Sequence, residues 1–389
     1  MSPFEIGGRA WKPAPTNWRL GVLLNVLYLL NHAGKAGTER YVQTLIERLD
    51  GEKIKAFFAY NEEGLLVERL KALGVDTYSI KMRSRFDLIA ARELAGLCRR
   101  LGINLIHTHY LRENYIAMLS RIFNPGVRVI YTNHFILRNN LPTRISNKLM
   151  NPLEAGVIAV CNRGREMMIS NGVDGSKIKV LFNAVDPELW GKHEKSTLRE
   201  ELGIAVDAFV ILCASRFAHD KGHRYLVRTI AKLKEIAEGK LKCVLAGDGP
   251  LLDEIKLMTS ELGLEEDILF TGFRSDIKNL FNGSNLYFNS SQHEASSFLI
   301  LEALASGLPV VATDMGGNND IINERTACGI LVGYEDAEGS ARAIKQIMDD
   351  RMLLDTLEKN ALKAVRENFN LVKMANQTYN LYEEFVGEK

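Results

Sequence analysis

The sequence predicts an α/β protein made of two doubly wound domains, and three observations lead to this prediction. Short apolar runs alternate with amphipathic stretches along the whole chain, which is the pattern of parallel strands covered by helices. The alternation restarts in the second half, after a polar and charged segment at 186–208. The length of 389 residues is enough for two domains that each bury their own core.

The first half begins with a lead-in, residues 1–18, which carries three prolines and is expected to be flexible. The apolar run that follows is too short for a membrane-spanning helix and is interrupted by Asn25, so it predicts a buried strand. Helical spacing recurs between the strands, at 38–49 and again at 86–101. The predicted strands of this half are Leu20–Leu30, Ile54–Tyr60, Ile103–Thr108, Arg128–Thr132, Gly156–Val160 and Lys179–Phe182.

The second half repeats the alternation and ends on a helical pattern with no strand after it. We therefore expect a first domain at 19–190, a second domain at 191–369, and a terminal helix at 370–389 that packs back on the first domain. The predicted strands of this half are Val210–Ser215, Cys243–Ala246, Ile268–Thr271, Leu286–Asn289 and Pro309–Thr313.

The two halves differ in charge, although the whole chain has a formal net charge of only +1. Residues 1–185 contain 26 Lys and Arg against 15 Asp and Glu, whereas the remainder contains 23 against 33. The most basic segment is 80–148, with 12 cationic and 3 acidic side chains. This asymmetry predicts two domains with different partners, the basic one favouring an anionic partner.

The five cysteines are scattered along the chain and do not form a CxxC pair or a Cys/His cluster with zinc spacing. Together with the lack of a recognisable secretory signal, this usage predicts reduced, buried thiols in a cytoplasmic protein.

The residues most suited to chemistry follow predicted strands, where ligands bind in parallel sheets. Arg216 and Lys221 stand five apart in a strand-to-helix loop with Gly222 at its turn, an arrangement that suits a phosphate at a helix N-terminus. The alternative is a solvated loop with two surface cations. Gly247 and Gly249 form a tight turn after the next strand, which is equally compatible with a plain connection.

Two glutamates carry the strongest signal. Glu294 follows the predicted strand at 286–289, and Glu302 falls among apolar residues about two turns into the next helix, a costly position for an unpartnered carboxylate. Ser296 and Ser297 are candidate N-caps whose neighbouring N–H groups suit phosphate oxygens, and the carboxylates suit sugar hydroxyls. The alternative is a surface carboxylate on the polar edge of the helix.

As an ordered set these segments, with the strand and Gly-Gly turn at 309–317, resemble the donor domain of retaining, nucleotide-sugar-dependent glycosyltransferases. The resemblance is to glycosyltransferase family 4 ("glycosyl transferases group 1") of the GT-B superfamily, and it extends from about Leu20 to the C-terminal helix. It implies the GT-B fold, in which two Rossmann-like domains face a deep cleft. The first domain would bind the acceptor and the second the nucleotide-sugar donor.

The resemblance also implies roles for the matching residues. Arg216 and Lys221 would bind the donor diphosphate and stabilise the leaving group, so that no metal or other cofactor is expected. Glu294 would contact the transferred sugar, and Glu302 the ribose hydroxyls. The donor-binding residues implied in this way are Gly37, Gly247, Gly249, Thr271, Phe273, Ser296, Ser297, Phe298, Leu299 and Glu302.

The first half resembles the same family at two loops. Gly37 matches a glycine-rich loop that closes over the diphosphate, although Ala36 replaces the commoner second glycine. His134 ends a predicted strand and would hydrogen-bond the donor sugar near the reacting carbon. His109 and Arg138 are weaker candidates on the acceptor side. The chain departs from the family pattern again where Ala184 replaces a glycine, and where Ala-Ser-Ser at 295–297 replaces Gly-Phe-Gly.

The function implied is a hexosyltransferase that moves a sugar from a nucleoside-diphosphate sugar to a glycan or lipid-linked acceptor with retention of anomeric configuration. Bacterial cell-surface polysaccharide or glycolipid synthesis is the expected setting. A sugar-nucleotide epimerase, a polysaccharide phosphorylase and a noncatalytic nucleotide-sugar-binding protein are the alternatives. The ordered donor motifs argue against the epimerase. A phosphorylase would need a longer chain and the sequence context of a pyridoxal-binding lysine, so it is also disfavoured.

The basic first half also predicts contact with an anionic acceptor or with an anionic membrane on its cytoplasmic face. Such contact would be peripheral, and a nucleic-acid partner is not expected because no aromatic residues accompany the charge. The candidate membrane contacts are Lys81, Arg83, Arg85, Arg99 and Arg100.

Overall fold

Two parallel β-sheets, each flanked by helices, form the frame of the protein. The computed structural model describes residues 23–34, 36–191 and 195–387. The predicted lead-in 1–18 and the first three residues of the strand predicted at 20–30 lie outside the described residues. The α/β prediction with two doubly wound sheets is confirmed.

The first sheet has seven strands in the described part of the chain, in the order β3-β2-β1-β4-β5-β6-β7, all parallel. Its strands are β1 (Leu24–His32), β2 (Ile54–Glu62), β3 (Asp76–Ser79), β4 (Leu105–Thr108), β5 (Arg128–Asn133), β6 (Gly156–Ala159) and β7 (Ile178–Val180). The helices of this half are α1 (Gly37–Arg48), α2 (Leu65–Ala72), α3 (Leu88–Leu101), α4 (Leu111–Ser120), α5 (Leu141–Met150) and α6 (Asn162–Ser170).

The second sheet has six described strands in the order β10-β9-β8-β11-β12-β13, again parallel. They are β8 (Phe209–Ala214), β9 (Leu241–Ala246), β10 (Ile268–Gly272), β11 (Leu286–Asn289), β12 (Val310–Thr313) and β13 (Gly329–Val332). The remaining helices are α7 (Pro187–Trp190), α8 (Leu198–Glu201), α9 (His223–Ile236), α10 (Leu252–Glu261), α11 (Ile277–Gly283), α12 (Phe298–Ala305), α13 (Asn318–Ile321), α14 (Ala337–Asp349), α15 (Arg351–Asn368) and α16 (Leu371–Gly387).

The sequence pattern shows some strands more clearly than others. The central strand β8 is buried along its whole length, because helices cover both faces of a parallel sheet, and it therefore reads as a continuous apolar run. The sequence pattern does not predict β3 or β13. Both are short and lie at sheet edges, as do β7 and β10, which the sequence does predict.

The chain crosses between the two sheets twice, and the crossings lie side by side. The Val185 N–H donates to the Phe369 carbonyl at 3.0 Å, and the Leu371 N–H donates back to the Val185 carbonyl at 3.1 Å. Helix α7 already contacts α12 and α15 of the second half, so the chain enters that half just before 190. After the return crossing, α16 contributes Tyr382 and Phe385 to the core of the first half.

Among the helices that the structure describes, none is both long and apolar enough to cross a membrane.

Candidate active site

A lysine–glutamate pair stands at the carboxyl ends of β8 and β11. Lys221 Nζ lies 2.8 Å from Glu294 Oε1 and 3.7 Å from the Oδ2 atom of Asp220, a residue that the sequence did not single out. The Lys221 and Glu294 side chains are 21% and 15% exposed, so the pair is largely shielded from water. Arg216 is much more open, and among the described residues its side chain has a long ion-pair contact of 3.9 Å to Asp220. The pair is thus fixed, whereas Arg216 is available to a ligand.

The backbone of the two loops fixes the pair. Ser290 Oγ donates to the Lys221 carbonyl at 2.8 Å, and the Gln292 N–H donates to the Asp220 carbonyl at 2.8 Å. Gly222 has φ of +69°, and a Cβ atom there would lie 2.0 Å from the Ser290 carbonyl oxygen. Only glycine allows the loops to come this close.

The Gly-Gly turn after β12 supports the other side of Glu294. Gly316 has φ of +59°, and a Cβ atom at this position would lie 1.5 Å from the Glu294 carbonyl oxygen. That oxygen accepts from the Gly317 N–H at 3.0 Å. At this turn the close approach that glycine permits is made by the backbone of the Glu294 loop.

The turn with Gly247 and Gly249 lies beside the loop that follows β8. The Phe217 N–H donates to the Asp248 carbonyl at 2.9 Å, and the Gly247 N–H donates to the Gly272 carbonyl at 2.8 Å. These bonds place two predicted donor-binding residues, Thr271 and the 73% exposed Phe273, next to the same turn.

Glu302 lies in α12 and is almost completely buried. Burial raises the pKa of this carboxyl, and the guanidinium of Arg40 in α1 opposes that rise by forming an ion pair with it. The same guanidinium lies 4.9 Å from the ring centre of Phe298, and Gly37 also faces that ring. The sequence did not predict the role of Arg40, although its place one helical turn after Gly37 puts both on one side of α1.

The N-terminus of α12 lies beside the crossing between the halves. Ser297 is its N-cap and accepts from the Ile300 N–H at 3.4 Å, as the sequence predicts for one of the two serines. The carbonyl of the other serine, Ser296, accepts from Asn183 Nδ2 at 3.1 Å. Leu299, a further predicted donor-site residue, is half-buried in the first turn of this helix.

Two predicted histidines meet at the carboxyl ends of β4 and β5. His109 Nδ1 and His134 Nε2 lie 3.1 Å apart. Burial lowers the pKa of His134 to about 3 and the pKa of His109 well below its usual range, so both imidazoles are neutral at physiological pH. One nitrogen of the contact must donate and the other accept. A neutral His134 retains hydrogen-bonding capacity without carrying a positive charge.

Residues that the sequence did not assign support these histidines. The ring of Tyr41 lies edge-on to His134, with 4.9 Å between centroids. Below them, His107 Nδ1 contacts the hydroxyl of Tyr382 at 2.7 Å, and its Nε2 contacts Thr132 Oγ1 at 2.6 Å. The C-terminal helix α16 therefore reaches the polar groups under the first-half site, a contact that no local pattern could reveal.

A cavity of about 300 Å³ lies next to the histidines in the first half. Its lining includes Tyr110 and Phe135, which follow His109 and His134 in the chain, and the buried Glu154. Burial raises the pKa of the Glu154 carboxyl to about 7, while Asn114 Nδ2 donates to it at 2.8 Å. The predicted acceptor-side residue Arg138 is exposed on the segment between β5 and α5.

Within the described ranges, no group of three or more acidic, cysteine or histidine side chains is placed to hold a metal ion.

Two family models match successive parts of the chain. The model "Glycosyltransferase Family 4" matches residues 36–189, and the model "Glycosyl transferases group 1" matches residues 194–364. The chain belongs to the family 4 glycosyltransferases. Both models describe glycosyltransferases, which favours this enzyme class over the epimerase alternative.

Relatives of this glycosyltransferase include two curated bacterial enzymes. The Escherichia coli UDP-Gal:alpha-D-GlcNAc-diphosphoundecaprenol alpha-1,3-galactosyltransferase is 25% identical over 373 residues, which is 91% of this chain and 95% of the relative. The Campylobacter jejuni N-acetylgalactosamine-N,N'-diacetylbacillosaminyl-diphospho-undecaprenol 4-alpha-N-acetylgalactosaminyltransferase is 29% identical over 289 residues, 72% and 76% of the two chains.

Among solved structures, the Anabaena protein HepE in complex with UDP superposes with a TM-score of 0.80 at 21% identity. It covers 93% of this glycosyltransferase and 100% of its own chain. This likeness shows the shared GT-B fold and confirms the predicted fold class. The individual donor-site and catalytic assignments stay predictions.

Proposed function

We propose that this glycosyltransferase moves a hexose from a nucleoside-diphosphate sugar to a lipid-linked or glycan acceptor, with retention of anomeric configuration. The observation that carries the proposal is the fixed, largely shielded Lys221–Glu294 pair at the carboxyl ends of two adjacent strands. The second domain supplies the other donor groups around this pair, as the family resemblance implies.

The proposed donor contacts are assigned from the charge and the exposure of the side chains around the pair. Arg216, which is 70% exposed, and Lys221 would hold the diphosphate, together with N–H groups at the start of α12. Glu294 would accept from hydroxyls of the transferred sugar and Glu302 from the ribose. The buried Glu302 already has a cationic partner in Arg40, which keeps its carboxylate available as an acceptor.

The proposed reaction breaks the bond between the anomeric carbon and the diphosphate oxygen, and the electron pair leaves with that oxygen. Lys221 and Arg216 stabilise the departing diphosphate by charge in a shielded site. An acceptor oxygen bonds to the anomeric carbon on the face that the diphosphate leaves, which retains configuration. The acceptor proton passes to the leaving phosphate oxygen, so no protein base is needed. The neutral His134 would hydrogen-bond the sugar near this carbon.

The acceptor is proposed to lie on the first domain. The names of both curated relatives include undecaprenol diphosphate, which supports a lipid-linked acceptor in bacterial cell-surface polysaccharide or glycolipid synthesis. The cavity beside His109 and His134 is a suitable place for the acceptor sugar. The basic charge of the first half would bring the enzyme to the anionic cytoplasmic face of the membrane as a peripheral protein.

The test is a screen of thermal unfolding and calorimetric binding with UDP-, GDP- and ADP-sugars, with and without magnesium. A ligand at a hundred times its Kd stabilises the native protein by about 2.7 kcal/mol. We expect one nucleotide to raise the unfolding temperature without magnesium, followed by turnover with a lipid-linked acceptor and an α-linked product from an α-linked donor by NMR. Binding without turnover would favour the noncatalytic alternative, and an inverted product would contradict retention.

A further inference from the structure

Helix α5 has its polar side toward the protein and its apolar side toward solvent. Thr143 and Asn147 are buried, whereas Leu141, Ile145 and Leu149 are 66%, 50% and 73% exposed. The three apolar residues are four apart, so they form one continuous ridge along the helix. A surface helix of a globular protein normally shows the opposite arrangement, with its apolar stripe against the core.

Polar contacts hold the inner side of α5 in place. Asn147 Nδ2 donates to the Asn171 carbonyl at 2.7 Å, and Asn147 Oδ1 accepts from the Tyr115 hydroxyl at 2.6 Å. Arg85 Nη1 donates to Thr143 Oγ1 at 2.8 Å. The helix is therefore bound in a fixed orientation, and its apolar ridge is presented outward by well-formed hydrogen bonds.

A neighbouring segment also exposes apolar side chains. Phe86 lies 5.2 Å from the ring of Tyr115, the residue that also bonds to α5, and is 49% exposed. Leu88 and Ile89, at the start of α3, are 55% and 68% exposed. Arg85 joins this segment to α5 through Thr143, and several exposed apolar side chains on neighbouring elements are typical of an interaction site.

The charges around the ridge indicate what covers it. Between Glu113 and Glu154 the chain has five Lys and Arg residues and no acidic residue. Two of these cations, Arg144 and Lys148, lie along one flank of the ridge at helical spacing. An apolar stripe with cations beside it is the pattern of a helix that lies in the interface of an anionic bilayer.

We propose that the outer face of α5 is the membrane-docking surface of this enzyme. Its leucines and isoleucine enter the acyl boundary, and Arg144 and Lys148 contact lipid phosphates. The inner face of the same helix contributes Asn147 to the cavity beside His134, so docking would bring the lipid surface close to the acceptor side. The inference rests on the membrane contact proposed above, and makes α5, rather than the cations predicted within 81–100, the principal element of that contact.

The experiment is co-sedimentation with vesicles of phosphatidylcholine, with and without phosphatidylglycerol, at low and high salt. We expect Leu141→Asn combined with Leu149→Asn to weaken binding to the anionic vesicles about tenfold or more, since each buried methylene contributes about 0.8 kcal/mol. Arg144→Gln and Lys148→Gln should each weaken binding about fivefold, at about 1 kcal/mol per cation. The matched controls are Leu257→Asn and Lys363→Gln, at exposed positions of the second half.

Unchanged thermal unfolding and unchanged nucleotide binding would show that the variants are folded. The proposal would be overturned if the leucine variant, Leu141→Asn with Leu149→Asn, bound anionic vesicles as well as the native protein does. It would also be overturned if the native protein bound neutral and anionic vesicles equally. A native dimer in solution that the leucine variant dissociates would overturn it too, because the ridge would then be an interface between copies. The vesicle measurement needs no sugar donor, so it can still be interpreted if no nucleotide sugar binds in the screen.

Discussion

Removing the charge of Lys221 should slow sugar transfer by about 10²- to 10³-fold. An ammonium about 4 Å from a phosphate oxygen contributes about 4 kcal/mol at an effective dielectric constant of about 20. Glu294, only 2.8 Å from Lys221 Nζ, offsets part of this charge. We therefore take about 2.7 kcal/mol as the smallest expected loss of transition-state stabilisation, which corresponds to a rate reduction of about 10²-fold. Loss of one oxyanion-stabilising donor in other enzymes has a comparable effect.

The assay is the rate at which nucleoside diphosphate is released from the donor identified by the nucleotide screen, for Lys221→Ala and Lys221→Met. The methionine variant keeps the length of the side chain and removes only its charge. Lys221→Arg keeps the charge and should retain more of the activity than either. Lys363→Ala, at an exposed position of α15, is the control for removal of a cation elsewhere.

Lys221→Ala and Lys221→Met leave the largely shielded Glu294 without its cationic partner, so each should also lower the free energy of unfolding, by about 1 to 3 kcal/mol, whereas Lys221→Arg should not. A folded Lys221→Met variant that releases diphosphate at nearly the native rate would refute the leaving-group role. A large loss in the alanine variant alone would assign the effect to packing.

Two further predictions concern buried groups. Gly316→Ala should destabilise the protein by about 2 kcal/mol or more and lower turnover, because its Cβ would meet the Glu294 carbonyl. The loss is measured from denaturation curves. The control is Gly126→Ala, which should show no such loss because the space around Gly126 is open. Burial raises the pKa of Glu113 to about 8, so the folded protein keeps a proton that the unfolded chain loses near pH 4.3. The free energy of unfolding of the native protein therefore falls as pH rises between these values. Relative to it, the free energy of unfolding of Glu113→Gln should rise by about 1.4 kcal/mol per pH unit. A difference between the two proteins that does not change with pH would contradict the raised pKa of Glu113.

The site residues found from sequence share one property: they follow buried strands. Lys221, Glu294 and His134 each come shortly after an apolar run, and in a parallel sheet the carboxyl ends of the strands face one edge. The order of the runs was therefore enough to place them near one another within each domain.

The residues that sequence reasoning missed lack a local signal. Arg40 is an ordinary helix cation until α1 and α12 come together and Glu302 becomes its partner. In the sequence, Tyr382 is one position of an amphipathic helical pattern. In the structure, its hydroxyl contacts His107 beneath the histidines of the first-half site. Asp220 lies in the same loop as Arg216 and Lys221, but its carbonyl acquires a partner only when that loop meets the segment after β11.

The sequence by itself determined the α/β class, the two sheets, most strand positions and the family, because each depends on local periodicity or on short ordered motifs. Only the tertiary structure decided the edge strands β3 and β13, the Arg40–Glu302 pair and the outward apolar ridge of α5. The periodicity of α5 shows that it has an apolar side but not which way that side faces. Orientation depends on contacts such as Asn147 with Tyr115, which join segments far apart in the chain.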